Sequence, residues 1–276
     1  MLNVFGNEVR FLNTTITTAN HTRFSLKNKN FVKFILRFIG LPHFGARLRA
    51  FYLNSLLDQL IPESKILDAG CGIGLNSFLA ARKGHIVTGI DNDSEKIVLA
   101  KKMLSRSNYP NVSFLKNDVT KLQFTNKSFN CVMCIEVLEH IEDDRKAIQE
   151  ISRILNDDGL FIVSVPGIGV ISRLNQHHKH HVREGYSLPE LKKKLGEADL
   201  RIKKVVKIEH TYLGLAVRFL NDEIHQRSLL ITTLLFPLFL PLAIFDGYLP
   251  ELIAPNNWII VAKKTTGALS GSKSSR

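Results

Sequence analysis

The chain has 276 residues, 45% of them hydrophobic, enough to bury one large core with additions. Three cysteines exclude a disulfide framework, and nothing at the N-terminus reads as a secretory leader, so the expected setting is cytoplasmic. The formal net charge is +12, yet no RNP-like aromatic motif or zinc ribbon accompanies it, so nucleic acid is not the expected partner.

In chain order, residues 1–60 come first as a basic helical segment. Through Phe51 there are eight Lys or Arg against one acid, Glu8. Phe31, Phe34, Ile35 and Phe38 fall on one helical face, with Lys33 and Arg37 off it. The favoured reading is a lid across a ligand site; contact with an anionic surface is the second, and both can hold.

Lys65 to Leu75, KILDAGCGIGL, is the most informative stretch. An apolar run ends at Asp68, and Gly70, Gly72 and Gly74 follow at alternate positions around Cys71 and Ile73. This is a buried strand turning abruptly into a helix, with a loop expected to present backbone N–H groups. The spacing is not the dinucleotide G-x-G-x-x-G, whose third glycine would fall at Leu75. Asp68 suits an amine or sulfonium better than a pyrophosphate. A second apolar run, His85 to Ile90, ends at Asp91, placed to face the first loop and hold ribose hydroxyls. Asp93 or Ser94 then caps a helix with apolar positions Ile97, Val98 and Met103. Val112 to Leu115 is a third strand followed by Asp118. FNCVMCIEVLEHI is a fourth, ending at Glu136, with Glu139 and His140 in the turn beyond. Odd spacing sends Cys131 and Cys134 to opposite faces of that strand, so they pack rather than act as a redox or metal pair. LNDDGLFIVSVP is a helix stop at Gly159 and a fifth buried strand ending at Pro166.

Taken in this order, ILDAGCGIG, GID, Asn117-Asp118, EVLEHI and DDGLFIVSVP resemble a class I S-adenosylmethionine-dependent methyltransferase. The resemblance spans roughly Leu60 to Glu209 and returns near Trp258 to Lys263. It implies an α/β fold: a Rossmann-like, doubly wound sheet of seven strands, the last antiparallel. The core would be 61–210 with 257–264, and 265–276 a flexible tail. It further implies that Asp68, Gly70, Cys71, Gly72 and Gly74 hold the methionine part of S-adenosyl-L-methionine. Asp91 would hold the ribose, Asp118 and Val119 the adenine, and Glu136 would close the site beside the methyl group. Asn92 stands where the family usually packs an apolar residue on adenine.

Two further features carry alternatives. Four histidines cluster at His177, His178, His180 and His181, and Glu136, Glu139 and His140 form E-x-x-E-H. Some similar enzymes, ubiquinone-pathway O-methyltransferases among them, pair such a motif with a distal histidine to hold a divalent cation. In the plainer reading one histidine, His140 or His181, acts as a base or lines the pocket. Between His210 and Asn256 lies an insertion, 211–256, in which Ser228 to Phe245 carries no charge over eighteen residues. Pro237 and Pro241 argue against a straight membrane-spanning helix. The open readings are a substrate cap, a homodimer interface and a membrane-interface segment, with Leu235 and Phe239 the positions at which to test the last. The expected activity is methyl transfer to an oxygen of a small or lipid-like acceptor. An RNA methyltransferase and a non-catalytic cofactor-binding subunit are the alternatives.

Overall fold

The structure, a computed structural model, describes residues 44–169 and 182–265. The amphipathic segment at 31–38, the four clustered histidines including His181, and residues 266–276 lie outside the described residues.

The described elements run α1 (Phe44–Leu57), β1 (Lys65–Ala69), α2 (Leu75–Arg82), β2 (Ile86–Asp91), α3 (Ser94–Leu104), β3 (Val112–Lys116), β4 (Phe129–Ile135), α4 (Asp144–Ile154), β5 (Leu155–Pro166), α5 (Leu188–Gly196), β6 (Leu200–Ile208), α6 (Tyr212–Arg227), α7 (Leu229–Asp246) and β7 (Asn257–Lys264). The strands form one sheet in the order β3-β2-β1-β4-β5-β7-β6. Neighbours pair in parallel except β7, which is antiparallel to both β5 and β6. The chain leaves β1 toward β2 and β3 on one side and returns to β4 and β5 on the other. That switch opens a crevice beyond the carboxyl ends of β1 and β4.

Strands buried on both faces need two helical layers. One core cluster joins Ile66, Cys131 and Met133 of the sheet to α1, α2, α3, α6 and α7. The other joins Leu67, Val132 and Cys134 to α4 and α5. Cys131 and Cys134 therefore sit on opposite faces, as their spacing requires.

Three local expectations are corrected. The helix before β5 ends at Ile154, not at Gly159. The carbonyls of Arg153 and Ile154 are taken by the N–H groups of Lys127 and Ser128, and the left-handed residue is Asp158 (φ 67°), inside β5. Val98 is 63% exposed; Ile97 and Ala100 make the buried face of α3, because one step along a helix rotates a side chain about 100° out of the core. Finally, α7 continues through Pro237 and Pro241. Four residues apart, both prolines lie on the exposed side, so the hydrogen bonds they remove fall outside the core.

The insertion is a helical hairpin. Asp246, at the end of α7, accepts from Thr211 Oγ1, from the Gly214 N–H (3.2 Å) and from the His210 N–H (3.2 Å). This buried carboxylate sits at the N-terminus of α6, where the helix dipole favours a negative charge. Phe236, Ala243 and Val217 turn inward, with Phe236 edge-on to Phe44 of α1 at 6.3 Å between centroids.

Candidate active site

The glycine loop lies at the crevice. Gly70, Gly72 and Gly74 all have positive φ (76°, 55° and 89°), angles that other residues adopt only with strain. Gly74 is the N-cap of α2, so the helix begins where the dinucleotide pattern would place its third glycine. A Cβ at Gly70 would stand 2.4 Å from Val137 and one at Gly74 2.4 Å from Phe114, whereas one at Gly72 would meet nothing within 4 Å. The loop is thus packed at both ends and open in the middle.

Four of its backbone donors are already used. The Gly70 and Cys71 N–H groups donate to Ile90 O (2.8 and 2.7 Å), that of Gly72 to Asp91 Oδ2 (2.9 Å) and that of Gly74 to Cys71 O (2.9 Å). The sequence leads one to expect these donors at a ligand; instead those of Gly70, Cys71 and Gly72 tie the loop to the end of β2, and that of Gly74 closes the turn on itself. A pyrophosphate would find neither those N–H groups nor a favourable field, because two buried carboxylates flank the loop. Asp68 accepts from Ser77 Oγ (2.6 Å), and burial, with Asp91 nearby, pushes its carboxyl up to about 6. Asp91 is held from two sides, by the Gly72 N–H and by the Asp93 N–H (2.9 Å each). Such a site is complementary to a cation.

At β3 the chain places Asn117 in the core and Asp118 at the surface. Asp118 Oδ1 accepts from the N–H and hydroxyl of Thr120, both at 2.8 Å, an Asx turn that fixes the rim. Val119 is buried behind it, and Asn92 is exposed. The buried Oδ1 of Asn117 has no hydrogen-bond partner.

The turn after β4 forms the opposite wall. Glu136 is left-handed (φ 57°), a conformation that costs a non-glycine residue about 1–2 kcal/mol. The turn is pinned: Glu136 Oε1 accepts from Ser164 Oγ and Asn257 Nδ2, both at 2.8 Å, and Oε2 faces Arg49 of α1 at 3.3 Å. Beside Arg49, Arg218 of α6 reaches Glu209 (3.2 Å) and Asp222 (2.6 Å). Ser77, Arg49, Ser164 and Asn257 are all missed by sequence reasoning; Ser77 is nine residues from Asp68, but the other three act across long separations, Asn257 at 121 residues from its partner.

Leu138–His140 is a short 3-10 turn that sends Glu139 and His140 in opposite directions. His140 is exposed at the rim. Glu139 is 1% exposed, its Oε2 has no partner, and its backbone carbonyl accepts from the Val182 N–H (3.0 Å). Among the described residues no three His, Cys, Asp or Glu side chains gather as a metal site would require.

Burial, with Glu136 beside it, pushes the Glu139 carboxyl up to about 8 from 4.5. A raised carboxyl binds its proton more tightly in the folded than in the unfolded chain. Stability therefore falls as pH rises from about 4.5 toward 8, at no more than about 1.4 kcal/mol per pH unit for this group. Asp68 acts in the same direction between 3.8 and about 6. Glu139→Gln should flatten the decline and be more stable than the parent at pH 8, with about 2–4 °C in Tm for each kcal/mol recovered. Melting curves at pH 5 and pH 8 check this; parallel curves for the two proteins would refute it.

The profile of the family described as "Methyltransferase domain" matches residues 61–210. The ubiquinone biosynthesis O-methyltransferase of Glaesserella parasuis serovar 5 is 33% identical over 124 residues, 42% of this chain and 51% of that protein. The one from Xanthomonas oryzae pv. oryzae is 30% identical over 171 residues, 57% of this chain and 70% of that protein. The chain thus spans about half the length of the first of these relatives. Among solved structures, phosphoethanolamine N-methyltransferase 2 of Haemonchus contortus, in complex with S-adenosyl-L-methionine, superposes with a TM-score of 0.60. It is 17% identical and covers 87% of this chain and 59% of that one, a likeness of fold alone. A family profile over more than half the chain, the seven-stranded sheet with β7 reversed, and a glycine loop between two acids have one common explanation: the chain belongs to the class I S-adenosylmethionine-dependent methyltransferases.

Proposed function

We propose that the protein transfers the methyl group of S-adenosyl-L-methionine to an oxygen of a small, apolar-chained acceptor. The observation that carries the reading is the pairing of an open Gly72 with an Asp91 locked by the N–H groups of Gly72 and Asp93. S-adenosyl-L-methionine, when bound, supplies a methyl group already activated on a sulfonium.

The chain's part is to bind, align and exclude water. Asp68 and the loop Gly70, Cys71, Gly72 and Gly74 hold the methionine end, whose ammonium is favoured by the two carboxylates. Asp91 keeps lone pairs on both oxygens for the ribose hydroxyls. Asn92, Asp118 and Val119 form the adenine rim. Glu136, braced by Ser164, Asn257 and Arg49, closes the site beside the reacting methyl. Residues 1–60 serve as the lid, of which α1 brings Arg49 to that wall. His140 at the rim takes the proton of a poorly acidic hydroxyl, with His181 the second candidate. A divalent cation held through Glu139 is the competing reading for this step. The oxygen-directed choice rests on the two O-methyltransferase relatives and on the apolar insertion.

The test has two arms. Calorimetry should give binding of S-adenosyl-L-methionine or its demethylated product and none of NAD; NAD binding would reject the cofactor. Transfer of labelled methyl groups into lipid, RNA and small-molecule extracts should label the lipid and small-molecule fractions. Label confined to RNA would reject the acceptor class, and no transfer to any extract would favour a cofactor-binding subunit.

A further inference from the structure

The outer face of α7 is unlike the rest of the surface. Ile231, Leu234, Leu238, Leu242 and Phe245 are 50%, 57%, 65%, 41% and 53% exposed. Their spacing of three and four residues aligns them in one row about 20 Å long, with Pro237 and Pro241 exposed beside it. Leu235 and Phe239, the positions at which the sequence alone would test a membrane contact, are half-buried, Phe239 packing against the core. Water does not favour an unbroken aliphatic row of this size.

We propose that this face is an interfacial docking surface for an anionic lipid bilayer, with α7 lying in the membrane plane. A covering protein surface would bring backbone and side-chain polar groups against a row with almost nothing to pair them, whereas acyl chains bring none. Charge decides between lipid and a second copy. The full chain carries +12, most of it outside the described residues, a charge that an anionic surface attracts and a second copy does not. The described part of that charge is well placed. Residues 224–245 contain no acid, and Arg227, exposed at the hairpin tip, pairs with Glu223 one turn earlier in α6 (2.5 Å). Arg201, Lys203 and Lys204 are exposed on the edge strand β6. Lys204 lies on the same sheet face as Val206 and Ile208, which pack in the core cluster beneath the hairpin. At the other end, where Thr211 bonds Asp246, Tyr212 and Tyr248 are both exposed, amphipathic rings of the kind that settle among headgroups. No helix among the described residues is long and apolar enough to cross a membrane. The hairpin's foot adjoins Glu209 and Arg218, at the carboxyl end of β6 where the candidate site opens. Docking would therefore present the mouth to an acceptor dissolved in the leaflet.

The experiment reads lipid binding alone, so it stands apart from the methyl-transfer reading. The full chain is floated with vesicles of phosphatidylcholine, with and without phosphatidylglycerol. It should float with the anionic vesicles, and weakly with neutral ones or in about 0.5 M salt. A Leu234→Gln, Leu238→Gln variant, both positions solvent-facing, should bind about tenfold or more weakly with an unchanged melting curve. Because Cys71, Cys131 and Cys134 are buried, an environment-sensitive dye can be placed selectively at Leu238→Cys, with Lys193→Cys on the opposite helical layer as control. The dye should shift to the blue with anionic vesicles at 238 and not at 193. Failure of the intact protein to float, full binding by the double variant, or a silent dye at 238 would each overturn the proposal. So would an intact dimer in solution that the double variant converts to monomers, the result that assigns the face to a second copy.

Discussion

Asp91→Ala is expected to weaken S-adenosyl-L-methionine binding by about 2–3 kcal/mol, roughly 30- to 150-fold in Kd. The change removes charge-assisted acceptors for two hydroxyls. It also strands the N–H groups of Gly72 and Asp93, which now donate to that carboxylate. The loop loses its tie to β2 just where it is open. Asp91→Asn is the informative companion. It keeps one acceptor oxygen but turns an amide NH2 toward a backbone N–H, so it should fall between the parent and the alanine variant. In both, the Asp68 carboxyl should stay raised, because burial is the main cause and the neighbouring Asp91 charge only the lesser one. Isothermal calorimetry, with melting curves to confirm folding, measures the effect. Unchanged affinity in the alanine variant would sink the ribose assignment.

The second large effect concerns the rim. His140→Ala should lower turnover by about 10²–10⁴-fold with cofactor affinity nearly unchanged. His140 is exposed and ends a three-residue turn, so its loss should cost little stability. A chelator should leave the parent active. If chelation instead abolishes activity, added divalent metal restores it and Glu139→Ala mimics the chelated state, the cation reading replaces the base. Full activity in both His140→Ala and His181→Ala would reject a proton-transfer role for either.

Much of this site was legible because its signals are local. A strand that ends in an acid, a turn that only glycines make easily, and an acid at the next strand's end are all written within about 25 residues. Gly70, Gly72 and Gly74 do adopt the left-handed angles their spacing suggests, and Asp93 does cap α3 with bonds to the N–H groups of Glu95 and Lys96. Boundaries were less legible. The end of α4 is set by Lys127 and Ser128 taking its last carbonyls, an interaction with a segment some 25 residues earlier that no helix-stop rule reads. The loop's N–H groups were misjudged for the same reason. The partners of the first three, Ile90 and Asp91, come from β2, so only strand pairing reveals that this part of the loop is closed to phosphate.

The sequence by itself determined the order of strands and acids, the family, and the presence of an apolar insertion too hydrophobic to ignore. These follow from periodicity and turn chemistry, which are set by neighbours along the chain. Tertiary structure alone decided what braces Glu136, which of Glu139 and His140 is buried, and which side of α7 faces outward. Each depends on residues brought together from Arg49 to Asn257, and on how a helix with two prolines rotates against α1 and the sheet. A helical row becomes a surface or a core only when packing chooses its rotation. Ile231, Leu234, Leu238, Leu242 and Phe245 were left outside because Phe236 and Ala243 filled the space within.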